Sequence, residues 1–299
     1  MAPNSPPQEF PLRSFQDWKA LAVATYNEWT WDDAPRLGAA LAFYTVLSLA
    51  PLLVVMIAIA GWALGREATM GQLMGQVQWM VGRDGAKAIE EMVKSASDRQ
   101  AGIIASLLGT ATLLIGATSV VAELRNAMNR IWKVPVDPDE SWLTVITKRS
   151  SMIGFVLASG FLLLVSLLLS AWLSMAGKFL EAMLPAPEIV FQTANLVASL
   201  AVMSGLFAIM FRYLPEASVQ WQDVRLGAVL TAVLFTIGKS LIGLYLGRAS
   251  FGSTYGAAGS LVIVLVWVYY SAQIFFFGAE FTHVYAKRHG SRAGLGVAA

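Results

Sequence analysis

The chain contains no cysteine, two histidines and little charge, with Asp, Glu, Lys and Arg making up 13% of its 299 residues. Without cysteine there can be no disulfide, thiolate zinc site, iron–sulfur cluster or cysteine nucleophile. A soluble domain is about 25% charged, so this chain does not have the polar surface to be solvated as one globule. Its net charge of +2 is too small for the basic face of a nucleic-acid binder. The P-loop, HExxH, GxSxG and dinucleotide fingerprints are all missing. The sequence therefore implies no enzyme and no cofactor. One acidic group outside the apolar stretches, Asp137, Asp139 and Glu140, has a spacing that can bind Mg²⁺. Pro138 interrupts it and no basic groove adjoins it, so no metal site is expected. The segment before Arg36 carries Asp17, Glu28, Asp32 and Asp33 without a continuous apolar run, and does not read as a cleavable signal peptide.

What the chain does have is length of apolar sequence: 57% of its residues are hydrophobic. Six stretches stand out, at 37–65, 101–122, 150–177, 189–211, 226–247 and 249–279. About 20 apolar residues carry a helix across a hydrocarbon core about 30 Å thick, and each stretch is long enough. The expected fold is all-α, a polytopic transmembrane bundle of six spans with amphipathic interfacial helices. Residues 1–36 form a tail with one such helix, 37–286 the membrane domain and 287–299 a second tail. Basic residues set the orientation. Thirteen Lys and Arg fall on the side of the N-terminus, seven on the other, and Lys239 lies within the fifth stretch. Both termini are thus expected in the cytoplasm of a bacterial inner membrane. Tryptophan agrees: Trp29, Trp31, Trp132, Trp142 and Trp221 fall at the inner headgroup level, Trp62, Trp79 and Trp172 at the outer.

Between the spans, Phe15, Trp18, Leu21, Ala22 and Tyr26 recur at helical spacing after Ser14, a suitable N-cap. They predict an amphipathic helix on the inner surface. On the outer side, residues 66–100 carry Met70, Leu73, Met74, Val77 and Val81 on one stripe, a break at Gly82 and Gly85, then Ile89, Met92 and Val93. This segment either packs on the spans or covers an opening. A short echo links Trp31-Asp32-Asp33 before Arg36-Leu37-Gly38 with Trp221-Gln222-Asp223 before Arg225-Leu226-Gly227. It reads as one device used twice: an Asp cap, an interfacial Arg and small residues for packing.

Three places carry chemistry. Lys239 is a cation inside a span, where insertion costs about 2.5–3.5 kcal/mol. By depth, Tyr270 and Gln273 are its partners, and an anionic headgroup or solute its ligand. Arg248 precedes the exterior loop with Ser253 and Thr254, whose hydroxyls and backbone N–H groups at a helix start suit a phosphate. Glu280 lies in the inner third of the bilayer, with Arg125, Arg130, Arg212 and Glu123 expected around it and His283 one turn on. Pro51 frees a backbone carbonyl in the first span, with Ser48 placed to satisfy it, and makes a gating candidate. For each, structural packing is the competing reading.

The run Arg36-Leu37-Gly38-Ala39-Ala40-Leu41-Ala42-Phe43-Tyr44-Thr45-Val46-Leu47-Ser48-Leu49-Ala50-Pro51 resembles the YihY/BrkB-type family. Ala127-Met128-Asn129-Arg130-Ile131-Trp132, Phe211-Arg212-Tyr213-Leu214-Pro215, Tyr255-Gly256-Ala257-Ala258-Gly259-Ser260 and Gly278-Ala279-Glu280-Phe281 agree with it, over residues 15–288. The resemblance implies a six-helix inner-membrane protein. It brings a discarded ribonuclease label, a link by name to virulence, and a connection of some relatives with envelope lipids. The leading expectation is transport or handling of a lipid or other anionic amphiphile, with membrane lipids as partners. A scaffold docking envelope proteins through 66–100 is the alternative, and a membrane hydrolase the third.

Overall fold

The computed structural model describes residues 14–65, 119–135, 188–248 and 259–293, with parts of 67–94. Every regular element among them is helical: α1 Phe15–Trp31, α2 Ala34–Leu64, α3 Glu188–Tyr213, α4 Trp221–Arg248 and α5 Gly259–Arg288. Residues 119–131 form a further helical segment. The third expected span, most of the second, and the loop with Ser253 and Thr254 lie outside the described residues, as do Asp137, Asp139 and Glu140.

The helix α1 begins as its sequence predicts. Ser14 accepts from the Gln16 N–H at 3.2 Å while Asp17 reaches back to the Ser14 N–H at 3.0 Å, a reciprocal capping box. Its buried face differs from the expected stripe. Leu21 and Thr25 are covered by α5, whereas Phe15 is 84% exposed and Tyr26 59%. One side of α1 packs on Phe281 and Val284, with Trp18 stacked on Phe281, while Phe15, Tyr26 and Trp31 face outward.

The helix α5 packs against α1, α2 and α4, and α3 lies against α4. Two stretches are long and apolar enough to cross a membrane among the described residues, Trp221–Ile242 and Leu261–Arg288. The last helix runs past the expected 279, because Phe281, Val284 and Ala286 continue its buried face. Outward faces remain apolar: Val202 is 71% exposed, and Val197, Ile237 and Leu241 are also uncovered. Inside, Phe207, Phe211 and Phe275 form an aromatic knot with centroids 5.1–6.2 Å apart. Segment 119–135 joins it through Met128, Ile131 and Trp132.

Small residues set the α4–α5 seam. Thr231 donates to its own helix at Gly227 O (2.6 Å) and Thr282 to Gly278 O (2.7 Å). A Cβ at Gly227 would overlap Thr282, and one at Gly278 would overlap Thr231. The two Gly-x-x-x-Thr pairs interlock head to tail, so α4 and α5 are antiparallel. Small residues allow this approach, and the hydroxyls are satisfied inside each helix. On the opposite flank Gly38 of α2 meets Gln273. Both glycines of the sequence echo therefore serve contact with α5. Leu73, Ile89 and Val93 of the 66–100 segment pack with Val46, Leu53, Ile57 and Val264, which is the packing alternative.

Candidate functional site at the charged end

The ends of α1, α3 and α5, the starts of α2 and α4, and segment 119–135 converge at one end of the molecule. Two chain reversals build the acidic half. Asp33 follows α1 with φ 54°, and Lys133 follows the 119–131 helix with φ 52°. At Lys133 the N–H bonds Arg130 O at 3.0 Å and the Val134 N–H bonds Asn129 O at 2.9 Å. That is a Schellman ending with lysine where glycine is usual.

The reversal aims Lys133 at α1. Its Nζ lies 2.7 Å from both Asp32 oxygens and 3.1 Å from Glu28 Oε2. Burial pulls this ammonium toward neutrality, but hydrogen bonds and attraction to Asp32 and Glu28 outweigh it and hold the group above its ordinary value. Arg130 stands 3.9 Å from Asp32 and 3.4 Å from Asp33, which also pairs with Arg36 at 3.3 Å. From α5, Glu280 enters with 0% exposure. Carboxylate oxygens of Glu28, Asp32 and Glu280 all lie within 4.8 Å of one another. Neither Glu280 oxygen and neither His283 nitrogen has a hydrogen-bond partner among the described residues.

Trp132 separates this acidic half from a basic one. Its ring lies 5.2 Å from His283, with the Arg292 guanidinium 5.0 Å over its centre. Trp132 is 2% exposed: it fills the space between its own segment and α5. Beyond it, Arg212 and Arg292 line a cleft of about 510 Å³ with Ser218, Gln220, Trp221 and Ser291. Arg212 donates to Val219 O at 2.8 Å and stacks 4.8 Å over Trp221. Arg292 donates to Ser218 O at 3.1 Å. Neither arginine forms an ion pair among the described residues. Asp223 is directed away from the cleft: it accepts from Ser291 N at 2.9 Å and Oγ at 2.5 Å, anchoring the turn that carries Arg292. Of the aspartates in the echoed motifs, Asp33 stands just before α2, its carbonyl accepting from the Arg36 and Leu37 N–H groups at 2.9 and 3.1 Å. Asp32 is committed to Lys133 and Asp223 to Ser291.

The residues singled out from the sequence separate. Arg125 pairs with Glu216 at 3.6 Å, and Arg212 belongs to the cleft, so neither surrounds Glu280. Only Arg130 reaches the acidic group, through Asp32 and Asp33. Lys239 is half-buried on α4, and Tyr270 closes over the adjacent Gly238, where a Cβ would meet its Cε1 at 2.9 Å. Gln273 turns to α2, its Nε2 3.4 Å from Ala34 O. Pro51 lies within the continuous helix α2. Ser48 donates to Thr45 O at 3.1 Å, not to the carbonyl that proline frees. Arg248 ends α4. Glu28, Asp32, Lys133 and Arg292 were not singled out as site residues from the sequence; their roles arise from reversals that carry no local signature.

An all-helical bundle with lipid-facing apolar surfaces and one charged end defines an integral membrane protein. A profile of the virulence factor BrkB family matches residues 25–297, and the chain belongs to that family. It is 27% identical over 271 residues to a UPF0761 membrane protein of Tolumonas auensis, covering 84% of this chain and 81% of that one. Relatives of the same name in Verminephrobacter eiseniae and Pseudomonas aeruginosa are 25% and 26% identical over 89% of this chain, which spans 62% of their lengths. No solved structure matches.

Proposed function

We propose that the protein is a multi-pass inner-membrane protein, its charged end in the cytoplasm, that binds and moves an anionic amphiphile of the envelope. One observation carries this reading: Arg212 and Arg292, from different elements, share one cleft with hydroxyl and amide groups and no carboxylate in its lining. Guanidinium forks suit phosphate, which they bind through paired N–H donors. The aromatic backing of Trp221 and Trp132 orients both groups at low entropic cost. The outward apolar faces of α3 and α4 supply a surface for acyl chains. Lys239 is the second cation on the route, with Tyr270 beside it, and Arg248 marks the other end.

The test is binding of phosphatidylglycerol against phosphatidylcholine by the purified protein in detergent. The anionic lipid is expected to bind more tightly. Arg292→Gln and Arg212→Gln should each weaken it about tenfold, a loss of about 1.4 kcal/mol. Equal affinity for the two lipids, or unchanged binding in both variants, removes the headgroup reading. In reconstituted vesicles Lys239→Ala should slow transfer of the anionic lipid between leaflets. An unchanged rate takes Lys239 off the route.

A further inference from the structure

Among the described residues, the acidic half of the charged end is short of one positive charge. Four carboxylates meet there, from Glu28, Asp32, Asp33 and Glu280, and three cations face them, Arg36, Arg130 and Lys133. The distances assign those cations. Lys133 answers Glu28 and Asp32, while Arg130 and Arg36 answer Asp33, with Arg130 also at the edge of Asp32. The carboxylate left over is Glu280, the one with no exposure at all and with neither oxygen accepting from a donor among the described residues. A buried carboxylate without a partner is among the costliest arrangements a fold can hold. It stands on α5, a different helix from the other two, yet is directed at them. The arrangement is therefore more than a solvated acidic cluster.

Geometry says what would complete it. Three oxygens no more than 4.8 Å apart leave a point about 2.8 Å or less from all of them, within reach of the 2.3–2.6 Å of oxygen-liganded ions of calcium size. Charge then selects among the occupants, because a proton or one monovalent ion closes the deficit and a divalent ion exceeds it. We propose that Glu28, Asp32 and Glu280 form a binding site for one monovalent metal cation, of which Na⁺ is the fitting case. Lys133 stands beside it as the tethered cation that keeps the other two carboxylates together when the ion leaves. Asp32 bridges the two cations. Because Glu28 is only partly buried, the α1 side is the route by which the ion enters. This site is independent of the arginine cleft and stands or falls without it.

The experiment is equilibrium binding of radioactive Na⁺ to the purified full chain in detergent, with choline chloride holding ionic strength constant. The wild type should bind about one Na⁺ per chain, and its Tm should rise with Na⁺ and level off. Glu280→Gln keeps the shape of the side chain and removes the uncompensated charge. It should lose the binding, lose the Na⁺-dependence of Tm, and melt higher than the wild type in choline. If that variant does not fold, Glu28→Gln tests the same ligand set from its exposed side and should weaken binding at least tenfold. No saturable Na⁺ binding to the wild type overturns the proposal. So does binding that persists in Glu280→Gln, or stabilisation by Ca²⁺ alone.

Discussion

Gly278 and Thr282 on one face of α5, and Glu280 and His283 on another, belong to the same short run of sequence and meet opposite fates. On the α4 face every polar group is answered within its own helix: Thr282 bonds Gly278 O, and Thr231 across the seam bonds Gly227 O. Toward α1 and Trp132, the Glu280 oxygens and both His283 nitrogens have no hydrogen-bond partner among the described residues, nor do the indole N–H groups of Trp29 and Trp132. Each such buried group costs about 1–3 kcal/mol. A membrane helix has no water to fall back on, so its ordinary solution is the first one. The second is held in place by the first: a tightly interlocked seam lets the charged end keep an arrangement that would not persist alone.

The largest effect should come from breaking the seam. Gly278→Leu drives a side chain into Thr231 on the facing helix, where even a Cβ overlaps. Overpacking of this kind costs about 3 kcal/mol, read as a fall in unfolding temperature in detergent. Gly205 on α3 is the control, because a Cβ there meets nothing within 4 Å. Gly205→Ala should be neutral or stabilising by up to about 1 kcal/mol, the helix-interior difference between the two residues. If both substitutions behave alike, the seam has no special standing.

Lys133 tests the other side of the comparison. Lys133→Ala strips the countercharge from Glu28 and Asp32 and should cost about 2 kcal/mol, less than a fully buried pair, since the lysine side chain is 41% exposed. Lys133→Gly should cost about 1 kcal/mol less than the alanine variant, because only glycine adopts φ 52° freely. The alanine loss should shrink when combined with Glu280→Gln, as coupled sites require. A folded-state value above the usual 10.5 also fixes the pH sign. The contribution of Lys133 is fully present below about pH 10.5 and is lost as pH rises through the raised value. A loss of this contribution on acidification from pH 8 to pH 6 would contradict the assignment.

The legible parts of the chain were those written in periodicity and local caps. Ser14 with Asp17 announced the start of α1, and four of the six apolar stretches have helices at their places, α2 to α5. The charged end was only half legible, because its members meet across two left-handed reversals, at Asp33 and Lys133. Neither residue is glycine, so neither advertises such a turn. Depth along a span grouped Arg125, Arg130 and Arg212 with Glu280, but it could not tell Arg130, which reaches Asp32, from Arg125 on Glu216 and Arg212 in the cleft. The sequence echo was legible in its small residues, which serve packing as their pattern suggested. At both Gly38 and Gly227 an added Cβ would overlap a side chain of α5.

The smallest expected effect is also the most discriminating for the unpartnered groups. Trp132 places its ring between His283 and Arg292, while its indole N–H donates to nothing among the described residues. If the ring alone matters, Trp132→Phe loses some contact area and part of the cation–π attraction, and gains relief from one unsatisfied donor. These terms are each about 1 kcal/mol and opposed, so the unfolding temperature should hardly move. A loss of about 3 kcal/mol, the scale of a large core deletion, would mean that the N–H is bonded after all. The charged end would then be as fully satisfied as the seam. Trp132→Ala separates the two halves of that end: it removes the wall between the arginine cleft and Glu280, and should weaken anionic-lipid binding by freeing Arg292 from its stacked position.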